Sequence, residues 1–309
     1  MRTVFLGTSA FAAAVMEHMA AGEHRPVLAL TRPDRPRGRG RKLGSPPVAQ
    51  TARRLGIALE QPANVNEPVA RELIARAQPD AVIVCAFGAL IREPLLSEHE
   101  LLNVHPSLLP RWRGAAPVER AIMAGDELTG VSIMRLTAGL DSGPVCLAEA
   151  VALAPQDSYG SLAERLQLLG GELIVRALDL TARGESLTFA EQDEAGATYA
   201  EKIGPEDRLL DPARPAVELE RVVRALHPHI GARVALPDGT LLGVHTARVA
   251  VSGNVRGDAP GETPAAGVLA RDGERLLYGA AEGALELTCV QPAGGRPMDA
   301  GAYLRGHAL

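Results

Sequence analysis

Apolar residues in the first half of the chain fall in short continuous runs. Thr3 to Leu6, Val27 to Thr31, Ile57 to Leu59, Ala81 to Cys85 and Leu101 to His105 each read as a strand covered on both faces. Between them the chain from Gly7 to Ala10 turns into a helix reaching about Ala20, and Pro47 to Leu55 and Glu67 to Ala77 read as further helices. This alternation predicts an α/β domain built on a doubly wound, Rossmann-like parallel sheet. The dinucleotide fingerprint G-x-G-x-x-G is absent after the first strand, where Gly7 stands alone, so a nicotinamide or flavin cofactor loses its main support.

A further apolar run, Gly130 to Leu136, and a strand-like Val145 to Val151 follow. Ser158 to Ala182 then carries apolar residues at helical spacing, with Ser158 as its N-cap, and closes the first domain. Gly184 to Gly204 is polar and glycine-punctuated and reads as a linker. Beyond Pro205 the pattern changes. One helix, Ala216 to Leu226, precedes short alternating runs near Arg233 to Leu236, Leu241 to Val251, Gly267 to Ala270, Leu276 to Tyr278 and Leu285 to Val290, set apart by turn residues. Short strands at regular spacing predict a small β-barrel. The expected division is a catalytic domain over 1–184, a linker over 185–204 and a C-terminal β-barrel over 205–309.

At 309 residues the chain suits two domains, each with enough apolar content for a core. Cys85, Cys146 and Cys289 are far apart and form no C-x-x-C pair, which argues against a disulfide framework and a thiolate metal site and suits a reducing cytoplasm. No apolar run approaches the ~20 residues of a membrane span, so a soluble protein without a membrane partner is expected. The net charge of −5 means that any polyanion must be met locally. Residues Arg32 to Lys42 offer such a place, with six basic residues against the single acid Asp34 and prolines and glycines between. Such a run reads as an exposed basic loop, either simply solvated or able to track phosphates.

The candidate chemistry lies between Leu101 and Asp141. Asn103 and His105 stand two apart on one strand and so project to the same face. Pro106 and Pro110 bracket the tripeptide Ser107-Leu108-Leu109 and disfavour helix, so a fixed loop should leave the strand. Asp141 sits in the glycine-flanked turn Ala138 to Gly143, which can return a carboxylate to the strand end. Each residue has a purely structural reading as well: a strand-end cap, a satisfied core histidine and a turn former. Together they suit acyl transfer without a covalent enzyme intermediate. The amide and imidazole would donate to an oxygen turning negative, a role worth roughly 3 to 4 kcal/mol per donor. The carboxylate would fix the imidazole tautomer and help move a proton. The loop Ala86 to Ile91, at the carboxyl edge of the sheet, is a plausible ligand wall. Trp112, the one tryptophan, reads as a loop anchor.

The run N-V-H-x-S-L-L-P-x-x-R-G-x-x-P, followed by Gly130-Val131-Ser132 and by G-L-D-x-G, resembles the signature of the folate-dependent formyltransferases, particularly those acting on initiator methionyl-tRNA. Phe5 to Ser9, Arg32 to Pro36, Gln61-Pro62, Thr198 to Lys202 and Gln291 to Gly294 extend the resemblance over nearly the whole chain. It implies 10-formyltetrahydrofolate as formyl donor and co-substrate, the methionine α-amino group on initiator tRNA as acceptor, no metal, and a cytoplasmic monomer. It implies Asn103, His105 and Asp141 as the catalytic trio. Tetrahydrofolate would contact Ser107, Leu108, Leu109 and Pro110, with Phe87, Gly88 and Leu90 as the neighbouring wall. The basic run would be a loop wedged against the acceptor stem, with Arg35, Arg37, Arg39, Arg41 and Lys42 on the tRNA, and the C-terminal barrel would be OB-like and hold the stem. From Gly204 onward, however, the chain has 11 arginines, no lysine and 13 acids, a mildly acidic balance for such a role.

Overall fold

A computed structural model describes residues 1–37, 42–250 and 263–307. The chain forms two compact units: the first takes Met1–Pro117, Leu128–Ala152 and Ala163–Glu201, the second Val118–Glu127, Leu153–Leu162 and Lys202–Leu309.

The first unit is laid down in βα steps. In chain order its elements are β1 (Thr3–Gly7), α1 (Ala10–Ala20), β2 (Pro26–Leu30), a hairpin of β3 (Arg35–Arg37) and β4 (Lys42–Gly44), α2 (Pro47–Leu55), β5 (Ala58–Glu60), α3 (Pro68–Ala77), β6 (Ala81–Cys85), α4 (Leu95–Glu98) and β7 (Leu101–His105). There follow β8 (Arg113–Gly114), α5 (Pro117–Ala124, of which only Pro117 belongs here), β9 (Leu128–Arg135), β10 (Val145–Ala152), α6 (Tyr159–Ala182, from Ala163 on) and β11 (Tyr199–Ala200). The main sheet has the order β10-β9-β7-β6-β1-β2-β5. The five strands from β7 to β5 are parallel, whereas β9 and β10 are antiparallel additions. Chain order reverses between β1 and β6, so the crevice at their carboxyl ends is the switch point where open sheets of this kind take ligands. Thr8 Oγ1 spans it, donating to the Phe87 carbonyl at 2.7 Å.

Physical reasons for the elements are local. Ser9 caps α1 by accepting from the Ala12 amide at 3.2 Å. Pro47 and Pro68 open α2 and α3 at the first helical position, where the missing N–H costs nothing. All five residues of β1, β6 and β7 are buried, which is why they read as continuous apolar runs. Helix α6 presses on the back of β7 through Gly170, where an added methyl would stand 2.9 Å from Val104 Cγ1. Val104 faces opposite Asn103 and His105, so this packing fixes the strand that carries them.

The basic run Arg32 to Lys42 departs from a plain loop: β3 and β4 pair antiparallel, Arg35 with Gly44 and Arg37 with Lys42. Residues 185–201, read as linker, carry structure in the first unit. Ala190 bridges Val145, and β11 pairs with β8 in parallel.

In the second unit α7 (Ala216–Leu226) lies on an antiparallel sheet of β12 (Ala232–Ala235), β13 (Leu241–Val249), β14 (Leu269–Asp272), β15 (Arg275–Gly279) and β16 (Ala284–Gln291), with β17 (Met298–Asp299) on β16 and α8 (Ala300–Gly306) after it. Leu219, Val222, Val223 and Leu226 of α7 face Val234, Leu242, Leu285 and Leu287 in the unit's core. That spacing of α7 residues is the apolar stripe of an amphipathic helix.

Candidate active site

Asn103 and His105 sit on one face of β7, next to the switch point, and are 7% and 4% exposed. In register, Asn103 stands between Val84 of β6 and Met134 of β9, and His105 opposite Ser132. The chain then runs out of β9 and returns toward β10 through the loop that holds Asp141. There Asp141 adopts φ +45°, a left-handed conformation that a carboxylate residue tolerates better than most. Its side chain reaches back over the strand. Asp141 Oδ1 accepts from Asn103 Nδ2 at 3.5 Å, Oδ2 accepts from the Gly114 amide at 2.9 Å, and Oδ2 lies 3.7 Å from His105 Nδ1. Three residues spread over 39 positions of sequence thus converge.

The imidazole tautomer is held differently from the sequence expectation. His105 Nε2 lies 2.9 Å from the Trp112 carbonyl, which can only accept, so Nε2 carries the proton. Asp141 Oδ2 at 3.7 Å is beyond hydrogen-bond length. Trp112 is the anchor the sequence suggests, but its backbone does the anchoring. At φ +64° it turns its carbonyl to His105, while its amide donates to Thr198 Oγ1 at 2.9 Å.

The segment Ser107 to Pro110 is fixed from both ends. Ser107, wholly buried, donates through Oγ to the Arg111 carbonyl at 2.6 Å. Ser132 Oγ donates to the Ser107 carbonyl at 2.8 Å and accepts from the Leu109 amide at 3.1 Å. Leu108 leans on Gly130, where a Cβ would stand 2.6 Å from its Cδ2. Across the switch point, Phe87 is buried in the sheet's core with Val4, Leu6 and Val84. Gly88, at φ +71°, leaves a notch with only Arg32 Nη1 at 3.7 Å of where a Cβ would be, and Leu90 is 58% exposed.

Sequence reasoning did not single out Ser132 or Gln192. Gln192 Nε2 donates to the carbonyls of Asp141 at 2.9 Å and Gly143 at 2.6 Å, and Oε1 accepts from Arg113 Nε at 3.0 Å. Arg113, 2% exposed, forms a two-pronged pair with Glu194 at 2.8 and 3.0 Å. That pairing raises the guanidinium's pKa and lowers the carboxyl's. Ser132 had a signal in the G-V-S run, whereas a glutamine in a polar stretch has none.

No cysteine is poised as a nucleophile. Burial pushes up all three thiols, Cys146 to about 11. Among the described residues, no three His, Cys, Asp or Glu are grouped to hold a metal ion.

Of the basic residues, Arg35 is exposed on β3, while Arg37 and Lys42 form the last described rung of the hairpin. Arg39 and Arg41 lie outside the described residues. The base of the hairpin is pinned by Asp34, which accepts from Ser45 Oγ and Gln61 Nε2, each at 2.8 Å. Those bonds, Gln61's first, hold the Asp34 carboxyl below the usual carboxylate range.

Comparison with known proteins matches the two halves of the chain to two family descriptions. Residues 1–178 fit the formyl transferase family and residues 202–308 its C-terminal domain. The chain is similar to methionyl-tRNA formyltransferase of Ectopseudomonas mendocina, at 41% identity over 96% of this chain and 92% of that one. A second relative, methionyl-tRNA formyltransferase of Halorhodospira halophila, is 42% identical over 100% of this chain and 97% of that one. In fold it resembles HypX from Aquifex aeolicus, solved in complex with tetrahydrofolic acid. The TM-score is 0.65 at 19% identity, covering 98% of this chain and 47%, about half, of that one. With family matches in both halves and full-length relatives at this identity, the chain belongs to the formyl transferase family.

Proposed function

We propose that the protein transfers a formyl group from 10-formyltetrahydrofolate to the α-amino group of methionine on initiator methionyl-tRNA, as a cytoplasmic enzyme of translation initiation. The observation that carries this reading is the convergence of Asn103, His105 and Asp141 beside the switch point of the sheet. The full-length relatives named for that activity support the choice of acceptor.

Features at the carboxyl ends of β6 and β7 support this donor. A pterin is flat, with a polar edge, and the open notch at Gly88, the exposed Leu90 and the rigid Ser107 to Pro110 segment offer space, an apolar contact and backbone polar groups. When bound, the folate supplies the activated formyl carbon. The protein's own groups then act as follows. His105 keeps its proton on Nε2, so Nδ1 would take the proton of the attacking amine and return it to the folate nitrogen as that nitrogen's bond to the formyl carbon breaks and tetrahydrofolate leaves. Asp141, 3.7 Å away, stabilises the resulting imidazolium. Asn103 has a second N–H besides the one directed at Asp141, and with the charged imidazole it faces the oxygen that turns negative. Preorganised donors on a buried strand cost no rearrangement as the charge develops.

For the acceptor, the basic residues Arg35, Arg37, Arg39, Arg41 and Lys42 contact acceptor-stem phosphates, and the antiparallel second unit, taken as OB-like, holds the stem. The test is transfer of labelled formyl from the folate to charged initiator tRNA, with glycinamide ribonucleotide and an aminosugar nucleotide as competing acceptors. The expected result is transfer to the tRNA and no competition; transfer to a small amine instead would overturn the reading.

A further inference from the structure

We propose that Gln192 is a positioning residue for formyl transfer, acting through Asp141; the proposal rests on the function given above. Asp141 carries two demands that do not come free. Its backbone sits at φ +45°, a conformation that non-glycine residues hold only when the surroundings over-determine it. Its carboxylate must also stay aimed at His105 and Asn103 although it lies in a loop. Both demands are met by hydrogen bonds that trace back to β8. Gly114, in β8, donates its amide to Asp141 Oδ2 at 2.9 Å, which fixes the carboxylate. Gln192 fixes the backbone by donating both protons of its amide to the carbonyls of Asp141 and Gly143, on either side of the turn.

Gln192 is itself held in place. Its Oε1 accepts from Arg113 Nε at 3.0 Å, and the rest of that guanidinium is locked by Glu194. Because the amide oxygen is taken by a group that can only donate, the nitrogen must face the two carbonyls, so the amide cannot be flipped without losing all three bonds. Arg113 directly precedes Gly114, so the same buried strand supports the turn's backbone and the carboxylate's aim. The glutamine's reach is long: 51 residues separate it from Asp141.

A structural role and a positioning role are separable by kinetics. Gln192→Glu keeps the side-chain length and the contact with Arg113 but removes both donated protons. Gln192→Ala removes everything. Labelled formyl transfer to charged initiator tRNA is measured for both variants, in the wild-type background and with Asp141→Asn. The expected result is a fall in kcat of about tenfold or more for each, the scale on which a reacting group slightly out of place loses rate, with KM for folate and tRNA within about threefold. With Asp141→Asn present, neither change should cost more than about a further twofold, because residues acting through one another do not add. Near-normal kcat for Gln192→Glu, or losses that multiply in the double variants, would overturn the proposal. A wild-type chain that transfers no formyl to the tRNA would overturn the functional reading and this proposal with it.

Discussion

His105 Nε2 donates a hydrogen bond to the carbonyl of Trp112 at 2.9 Å, and this main-chain contact leaves Nδ1, 3.7 Å from Asp141 Oδ2, as the unprotonated nitrogen. The loop after β7 therefore sets the imidazole tautomer, and in the proposed mechanism Nδ1 is the nitrogen that works. A first prediction follows for Asp141. Asparagine tolerates the left-handed region and preserves the shape, so Asp141→Asn should lose activity while its melting temperature stays close to the parent's. Asp141→Ala should lose activity and also about 1–2 kcal/mol of stability, because alanine withdraws the acceptor of the Gly114 amide and has no side-chain bond to hold the strained φ +45°. Thermal melting beside turnover checks both; equal stability of the two variants would remove the backbone argument.

Ser132 should govern folate binding without touching the reaction. Its hydroxyl serves the buried Ser107 carbonyl and the partly buried Leu109 amide. Ser132→Ala leaves both unsatisfied at ~1–3 kcal/mol each. The segment should loosen and the dissociation constant for the folate rise about tenfold or more, measured by titration of the isolated enzyme. Unchanged affinity would mean that Ser107 to Pro110 is not a folate contact.

The basic hairpin predicts a selective tRNA defect. Each single neutralisation among Arg35, Arg37, Arg41 and Lys42 should weaken tRNA binding modestly and make the slope of log affinity against log salt shallower by about one unit. Folate affinity should not move. A slope unchanged by neutralising the whole hairpin would make it an ordinary solvated surface.

Acid stability of the second unit should depend on His227. Burial first, then the nearby His245 and His229, lower its pKa below the ordinary 6.5. The folded state then binds fewer protons than the unfolded one, so this contribution is present above pH 6.5 and is lost as pH falls below it through the folded value. Asp207 and Glu286, also lowered by their arginine partners, lose theirs only in the carboxylate range. His227→Gln should flatten the fall of the melting temperature between pH 7 and 5.5. An equally steep fall in the variant would place the sensitivity elsewhere.

Much of this was legible in the sequence, and for a physical reason. Strands buried on both faces must be apolar throughout, so β1, β6 and β7 announce themselves, as does α6 by its long stripe. The Asn103 and His105 pair follows from strand alternation, and Asp141 from a turn rich in glycine. The hairpin of β3 and β4 was hidden because three-residue strands, Arg-Pro-Arg and Lys-Leu-Gly, are too short and too polar to show an apolar alternation. Gln192 and the pairing of β8 with β11 were hidden because they are purely tertiary: Tyr199 meets Arg113, and nothing in either local sequence favours the other. Phe87, read in the sequence as part of a ligand wall, packs with Val4, Leu6 and Val84 in the sheet's core, a contact its local sequence does not show.

The most direct measurement of the central claim is the single-turnover rate of formyl transfer to charged initiator tRNA for Asn103→Ala, His105→Ala and Asp141→Asn. All three should fall at least ~10²-fold, the scale of lost oxyanion donors and acid–base groups, with folate and tRNA dissociation constants within about threefold of the parent's. Any one of them retaining more than roughly a third of the parent rate would contradict the account and remove that residue from the reaction.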